Sequence, residues 1–311
     1  MDKMKISYFP NFVPNNAELV YPKVLDAIKQ TDTLIEGDRD SDAALIWSVL
    51  WYGKMSGNKN IWDHYRSKDK PVIVIEVGGL HRNKTWKLGI NGINRDADFA
   101  LDDYMPDDRL TKLGLIAQSW KHTGEYILIC GQHGYSEQWR TMPEMNTYYK
   151  KTINEIRSIS DKPIVIRSHP RFREGLHWQF DKEWFSKNNV TFNTPKHIQE
   201  TYDSFDLEHM LKHSQFTVSH SSNAGIVSIL NGVPSVVSEH SLAYEVGSKM
   251  TTPLAMPDRN NWMKRISYVE WFADEIDVQW RRYERNYSIF PLFFNMFNIS
   301  VAPASLTHLI V

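Results

Sequence analysis

Cysteine is nearly absent from this chain of 311 residues, because Cys130 stands alone and cannot form an internal disulfide. A chain without disulfides is typical of a reducing compartment. The first dozen residues contain no apolar run as long as a secretion signal, so we expect a cytoplasmic protein. Prolines, asparagines and a histidine interrupt the apolar stretch 289–311, which is therefore not expected to span a membrane.

Several motifs that mark particular chemistries are also absent. The chain has no G-x-x-x-x-G-K-[ST] phosphate loop, no G-x-S-x-G nucleophile turn and no Cys and His residues at zinc-ligand spacing. The formal net charge of −1 gives no overall basic character. These absences indicate that no cofactor is required, and they argue against P-loop nucleotide hydrolysis and against serine hydrolysis.

Strand and helix patterns alternate along the chain, which predicts an α/β fold with parallel, doubly wound sheets. The apolar run 71–77 is typical of a buried strand, and 78–94 reads as a loop after it. A second series of strands and helices begins at 125–130. The length suits two domains, and we predict boundaries of 1–123 and 124–270, with a helical segment at 271–311.

Small polar residues mark the start of one predicted helix. Ser221, Ser222, Asn223 and Gly225 follow a short apolar strand, 216–219, and come directly before an apolar helix. Helix N-termini present free N–H groups and a favourable dipole to anions, so this turn is a candidate phosphate site. The same residues are also suited to capping the helix and nothing more.

A basic loop follows another predicted strand, 163–167. The sequence Arg167-Ser168-His169-Pro170-Arg171 ends that strand, and Arg173 comes two residues later. Ligands of open α/β sheets bind at the carboxyl ends of the strands. Arginine binds phosphate through two hydrogen bonds, and histidine donates one. An exposed basic loop without a ligand is the alternative.

The order of these segments resembles the donor-binding half of GT-B glycosyltransferases, most clearly over 161–239. The resemblance implies two Rossmann-like domains that face a cleft, and it implies that the helical segment 271–311 crosses back to the first domain. It also implies that the second domain holds a nucleotide-sugar, with a UDP-sugar expected, and that the diphosphate contacts Arg167, His169, Arg171, Ser221, Ser222 and Asn223.

Other residues are placed near the donor by their position after strands. Gln132 and His133 lie in a Gly-bounded turn after 125–130 and are predicted to contact the donor's base or phosphate. Glu239 follows the strand predicted at 233–238 and is a candidate ligand of the ribose hydroxyls, with Glu245 as the alternative.

Sugar transfer needs a base that deprotonates the acceptor hydroxyl. Glu76 is the main candidate, because an acid in an otherwise apolar strand requires a reason. Asp96 and Asp98 are the alternatives. They also form a D-x-D pattern, which binds metal in GT-A glycosyltransferases, but such patterns recur in this Asp-rich chain and we predict no metal site.

The segment 51–95 carries nine basic residues against three acidic ones, with interleaved tryptophan and tyrosine. This pattern favours a polyanion with stackable bases, although an exposed charged surface gives the same pattern. Glycosyltransferases encoded by viruses modify hydroxymethylated pyrimidines in DNA and are of similar size, so we expect such an acceptor, contacted by His81, Arg82, Lys84, Trp86 and Lys87. The alternatives are a transferase of surface-glycan or lipid-linked sugar synthesis and a nucleotide-binding module without catalysis.

Overall fold

The computed structural model describes residues 3–172, 181–201 and 204–287, and within them the chain forms two β-sheets covered by helices. The predicted contacts of Arg173 and the stretch 289–311 lie outside the described residues. No helix in the described ranges is long and apolar enough to cross a membrane. The α/β fold class predicted from the sequence is confirmed.

The first sheet has six strands in the order β11-β5-β4-β3-β1-β2. Strands β1 to β4 pair in parallel, whereas β5 is antiparallel to β4 and β11 is antiparallel to β5. The first sheet is therefore mixed, not wholly parallel as predicted. Its strands are β1 (Lys5–Tyr8), β2 (Thr33–Glu36), β3 (Ala43–Trp47), β4 (Val72–Val77), β5 (Thr85–Ile90) and β11 (Glu270–Phe272).

The prediction of a loop over 78–94 was wrong, because β5 occupies its middle. Lys87 and Gly89 break the apolar pattern of this strand, yet all six of its residues are buried. Strand β3 shows why the rest of the sheet was easier to predict. Its Leu45 and Trp47 pack into one core and its Ala44 and Ile46 into another, so helices on both faces require a continuous apolar run.

The second sheet has five strands, all parallel, in the order β10-β9-β6-β7-β8. The sequence patterns located each of them within about two residues. They are β6 (Tyr126–Cys130), β7 (Ile164–Arg167), β8 (Val190–Asn193), β9 (Ser214–Ser219) and β10 (Ser235–Val237).

The α-helices are short and lie on the faces of the two sheets. Helix α9 returns to the first sheet and packs on α1, where the Trp280 indole N–H donates to Thr31 Oγ1 at 3.0 Å. The α-helices of the described residues are α1 (Tyr21–Lys29), α2 (Asn58–Arg66), α3 (Asp108–Lys112), α4 (Met145–Arg157), α5 (Lys182–Lys187), α6 (Leu207–His213), α7 (Asn223–Leu230), α8 (Asn260–Ser267) and α9 (Ile276–Tyr287).

Candidate active site in the cleft between the sheets

A cleft of about 1480 Å³ lies between the two sheets. The carboxyl ends of β3 and β4 line one wall, and the carboxyl ends of β6 and β7 line the other together with the start of α7. This is where ligands bind in open α/β folds. Its volume exceeds the roughly 300–1,000 Å³ of a site for one small ligand, which leaves room for two substrates.

Glu76 is fixed in the first-domain wall by a strained residue. The Ser48 hydroxyl donates to Glu76 Oε2 at 2.6 Å and accepts the Leu50 N–H at 3.1 Å. Ser48 has a φ of 61°, a left-handed conformation that costs a non-glycine residue about 1–3 kcal/mol. Ser48 thus holds the Glu76 carboxylate where both residues line the cleft.

Lys87 connects this wall to the opposite one. It lies directly across from Glu76 in the β4–β5 register, and it is only 1 % exposed. Its ammonium donates to Asn223 Oδ1 at 2.9 Å, at the start of α7. Burial lowers the pKa of Lys87, and this effect is opposed by the carboxylates of Glu270 and Glu76. Lys87 thus lies between Glu76 and the helix N-terminus that is predicted to bind phosphate.

Three residues form the start of α7 in the second-domain wall. Ser222 is the N-cap, and its Oγ accepts the Ala224 N–H at 3.2 Å. Ser221 Oγ accepts from Gln132 Nε2 at 3.4 Å, which places Gln132 at the same edge. The structure brings these residues and Asn223 together in one wall of the cleft.

The other second-domain candidates surround a pair of histidines. The rings of His133 and His169 are 5.3 Å apart, and both accept a backbone N–H at Nδ1, from Tyr135 and Arg171 respectively. Each neutral ring therefore carries its proton on Nε2. The Nε2 of His133 is buried, whereas His169 is partly exposed and can donate a hydrogen bond in the cleft. Exposed Arg171 lines the same cleft and supplies positive charge.

Arg167 connects the end of β7 to β8 and to the start of α6. It is 4 % exposed, and its guanidinium donates to Asn193 Oδ1 at 2.8 Å and Asp206 Oδ1 at 2.7 Å. Both terminal nitrogens thus bind protein groups that join β7, β8 and the start of α6. Arg167 also lines the cleft, so its contact with the diphosphate stays a prediction, although Asp206 already balances its charge.

The buried histidines make stability depend on pH. Desolvation is the main cause that lowers the pKa of His133 to about 4, of His169 to about 3 and of His220 to about 4, from 6.5 in the unfolded chain. At a pH between the folded-state and unfolded-state pKa values, the unfolded chain binds more protons than the folded protein. The contribution of these histidines to the free energy of unfolding is therefore fully present above pH 6.5 and is lost as the pH falls.

We therefore expect the free energy of unfolding to fall between pH 7 and pH 5. Each histidine contributes up to about 1.4 kcal/mol per pH unit once the pH is below 6.5. Denaturant titrations at pH 7, 6 and 5 measure this slope. Equal unfolding free energies at the three pH values would contradict the assignment of neutral, desolvated histidines.

Three predicted acids do not line the cleft. Glu239 is exposed, and only its carbonyl is engaged, by Arg95 at 3.1 Å. The Asp98 carboxylate accepts the Ala100 N–H at 2.7 Å, and Asp96 is exposed. The structure therefore separates all three from Glu76. Among the described residues, no three His, Cys, Asp or Glu side chains are grouped so that they could hold a metal ion.

The predicted acceptor residues divide into two groups. His81, Arg82, Lys84 and Lys87 line the cleft, but Lys87 is buried and its ammonium already donates to Asn223. His81 Nε2 is hydrogen-bonded to the Leu113 carbonyl. Trp86 is 4 % exposed and packs in the core of the first sheet, so it cannot stack on an acceptor base. The prediction for Trp86 is corrected accordingly.

Two residues that shape the cleft were not predicted from the sequence. Ser48 belongs to no recognisable motif. Glu270 is fully buried and accepts the N–H groups of Gly79 and Leu80 at 2.7 and 2.9 Å, which holds the loop that faces Asn223. A methyl group on Gly79 would lie 2.4 Å from Asn223 Cγ, so only glycine allows this close approach of the two walls.

No protein-family model and no curated protein sequence matches this chain. Among solved structures, Thermosulfurimonas dismutans KpsC, beta Kdo 2,4 transferase, has a TM-score of 0.52 at 13 % identity, covering 86 % of this chain and 91 % of that one. The beta Kdo 2,7 transferase of the same KpsC has a TM-score of 0.50 at 10 % identity, covering 90 % and 98 %. The fold is of the GT-B type. At these identities the likeness shows the fold alone.

Proposed function

We propose that this protein is a glycosyltransferase that moves a sugar from a nucleotide-sugar donor to a hydroxyl acceptor. One observation carries the proposal: Lys87 lies across the sheet from Glu76 and contacts Asn223 at the start of α7. A fixed carboxylate and a helix N-terminus suited to phosphate thus lie close together in one cleft. The similarity to two transferases of the same fold makes sugar transfer the first reaction class to test.

The proposed chemistry needs two groups on opposite walls. Glu76 takes the proton from the acceptor hydroxyl, whose oxygen bonds to the donor's anomeric carbon as the bond to the phosphate oxygen breaks. The released nucleotide gains negative charge, which Arg171, the His169 Nε2–H group and the α7 N-terminus stabilise. A binding module without catalysis has no use for a carboxylate held by a strained serine, so this alternative is less well supported.

The donor is proposed to be a UDP-sugar held by the second-domain wall. Replacing Arg171 with alanine is expected to weaken UDP binding about 10- to 150-fold, because a charge-assisted hydrogen bond contributes roughly 1.5–3 kcal/mol. Calorimetry with UDP, CMP, GDP and ADP identifies the nucleotide and measures the effect.

The matched control is Arg265→Ala, a surface arginine paired with Glu245 at 3.1 Å outside the cleft. It should bind nucleotide like the wild type. Equal affinities of the wild type and Arg171→Ala would remove Arg171 from the donor site. If the wild-type protein binds none of the four nucleotides, the proposed function itself fails.

Two acceptors are candidates, and the structure bears on both. The DNA acceptor, a hydroxymethylated pyrimidine, is supported by Lys54, Arg82 and Lys84 along the cleft. Lys59 and Lys70 of the same segment do not line the cleft. Lys59 pairs with Asp63 at 2.6 Å, and Lys70 donates to two backbone carbonyls.

Three of the five aromatic residues of the same segment also weigh against DNA. Trp62, Tyr65 and Trp86 are 8 %, 0 % and 4 % exposed and belong to the hydrophobic cores. Stacking on unpaired bases requires exposed ring faces. We therefore favour the hydroxyl of a surface glycan or a lipid-linked sugar as the acceptor, and DNA is the alternative that the experiments below also test.

A further inference from the structure

Two tyrosines, Tyr52 and Tyr135, expose large aromatic side chains in the cleft. Tyr52 is 40 % exposed and Tyr135 is 54 % exposed, and both line the cleft. One comes from each half of the chain. Their rings are parallel within 3°, with centroids 5.9 Å apart.

The backbone holds these two tyrosines in place. The Trp51 N–H donates to the Tyr135 carbonyl at 3.0 Å, and the Glu137 N–H donates to the Val49 carbonyl at 2.9 Å. An antiparallel bridge joins Leu50 and Ser136 between them. The ring positions are therefore set by main-chain pairing, so a ligand that uses them meets a preformed surface.

The same segment leads directly to the proposed base. Ser48, which holds Glu76, lies four residues before Tyr52. His133, whose ring is 5.5 Å from Tyr52, belongs to the donor wall. Tyr52, Tyr135, Glu76 and His133 all line the same cleft, so a molecule bound on the tyrosine pair shares that cleft with the proposed base and with the donor residues.

We propose that Tyr52 and Tyr135 form an acceptor subsite that binds a saccharide ring by stacking. This proposal rests on the proposed glycosyltransferase function. Sugar rings present an apolar face of C–H groups, and a flat aromatic ring with a polar edge matches that face. Unpaired bases also stack on exposed aromatic rings, so the experiment below includes an oligonucleotide whose binding would count against a saccharide subsite.

Ligand-observed NMR on the full chain tests this subsite with defined probes. The probes are the methyl glycosides of glucose, galactose, N-acetylglucosamine and Kdo, and a single-stranded oligonucleotide that contains 5-hydroxymethylcytosine. The variants are Tyr52→Ala, Tyr135→Ala and the corresponding phenylalanine substitutions. The control variant is Tyr104→Ala, whose ring is 74 % exposed but outside the cleft.

We expect at least one glycoside to bind, about three- to tenfold more weakly in each alanine variant, and nearly unchanged in the phenylalanine variants and in Tyr104→Ala. Absence of glycoside binding, glycoside binding unaffected by both alanine substitutions, or tyrosine-dependent binding of the oligonucleotide alone would overturn the proposal. UDP affinity, measured on the same samples, tests the donor site separately. If the wild-type protein binds UDP but none of the glycosides, only the subsite proposal is refuted and the donor site stands.

Discussion

Replacing Glu76 with glutamine is expected to lower turnover by about 10²- to 10⁴-fold, the contribution of a general base. Glutamine has the same shape and can still accept the Ser48 hydroxyl, which bonds the glutamate at 2.6 Å. Fold and UDP affinity should therefore be preserved. Steady-state kinetics with the identified donor and acceptor, together with calorimetry, distinguish the loss of turnover from a loss of binding.

The controls for this prediction are Asp96→Asn and Asp98→Asn. Both acids lie outside the lining of the cleft, so both variants should turn over at the wild-type rate. If Glu76→Gln is as active as the wild type while either aspartate variant is inactive, the base has been assigned to the wrong residue.

Replacing Arg167 with alanine is expected to lower the free energy of unfolding by about 3 kcal/mol. Removing one partner of a buried ion pair costs roughly 3–5 kcal/mol, because the other charge is left unpaired. The lower end applies here, since the Asp206 side chain is 21 % exposed and also accepts the Lys196 N–H at 2.9 Å. Urea denaturation at pH 7 measures the change.

Arg171→Ala is the matched comparison for Arg167→Ala. Arg171 is exposed, so its removal should change stability by no more than about 0.5 kcal/mol while it weakens UDP binding. The two arginines of one loop thus separate stability from ligand binding. A stability loss in Arg171→Ala but not in Arg167→Ala would reverse the two roles.

The second sheet was predictable from the sequence because its strands are short apolar runs that end in turn residues. The turn at Ser221 and Ser222 was located by the same means, and it does begin a helix at the cleft. The first sheet was harder to predict. Lys87 made β5 resemble a surface loop, although the sheet buries that lysine against Asn223 from the other half of the chain.

The roles of charged residues were the least predictable. A sequence pattern shows that Arg167 ends a strand, but it does not show that Asp206, 39 positions later, neutralises it. Glu239 also follows a strand, yet its carboxylate lies outside the cleft lining. In both cases the direction of the side chain and its distant partners decide the role, and these depend on the tertiary structure.

Sugar transfer itself is the most direct measurement. The protein is incubated with radiolabelled UDP-, CMP-, GDP- and ADP-sugars and with glycoside, lipid-linked or hydroxymethylated DNA acceptors, and labelled product is separated from donor. We expect transfer from one nucleotide-sugar to a saccharide acceptor, and we expect its rate to be reduced at least about 100-fold in Glu76→Gln. Absence of transfer to every acceptor and of nucleotide release from every donor would contradict this expectation.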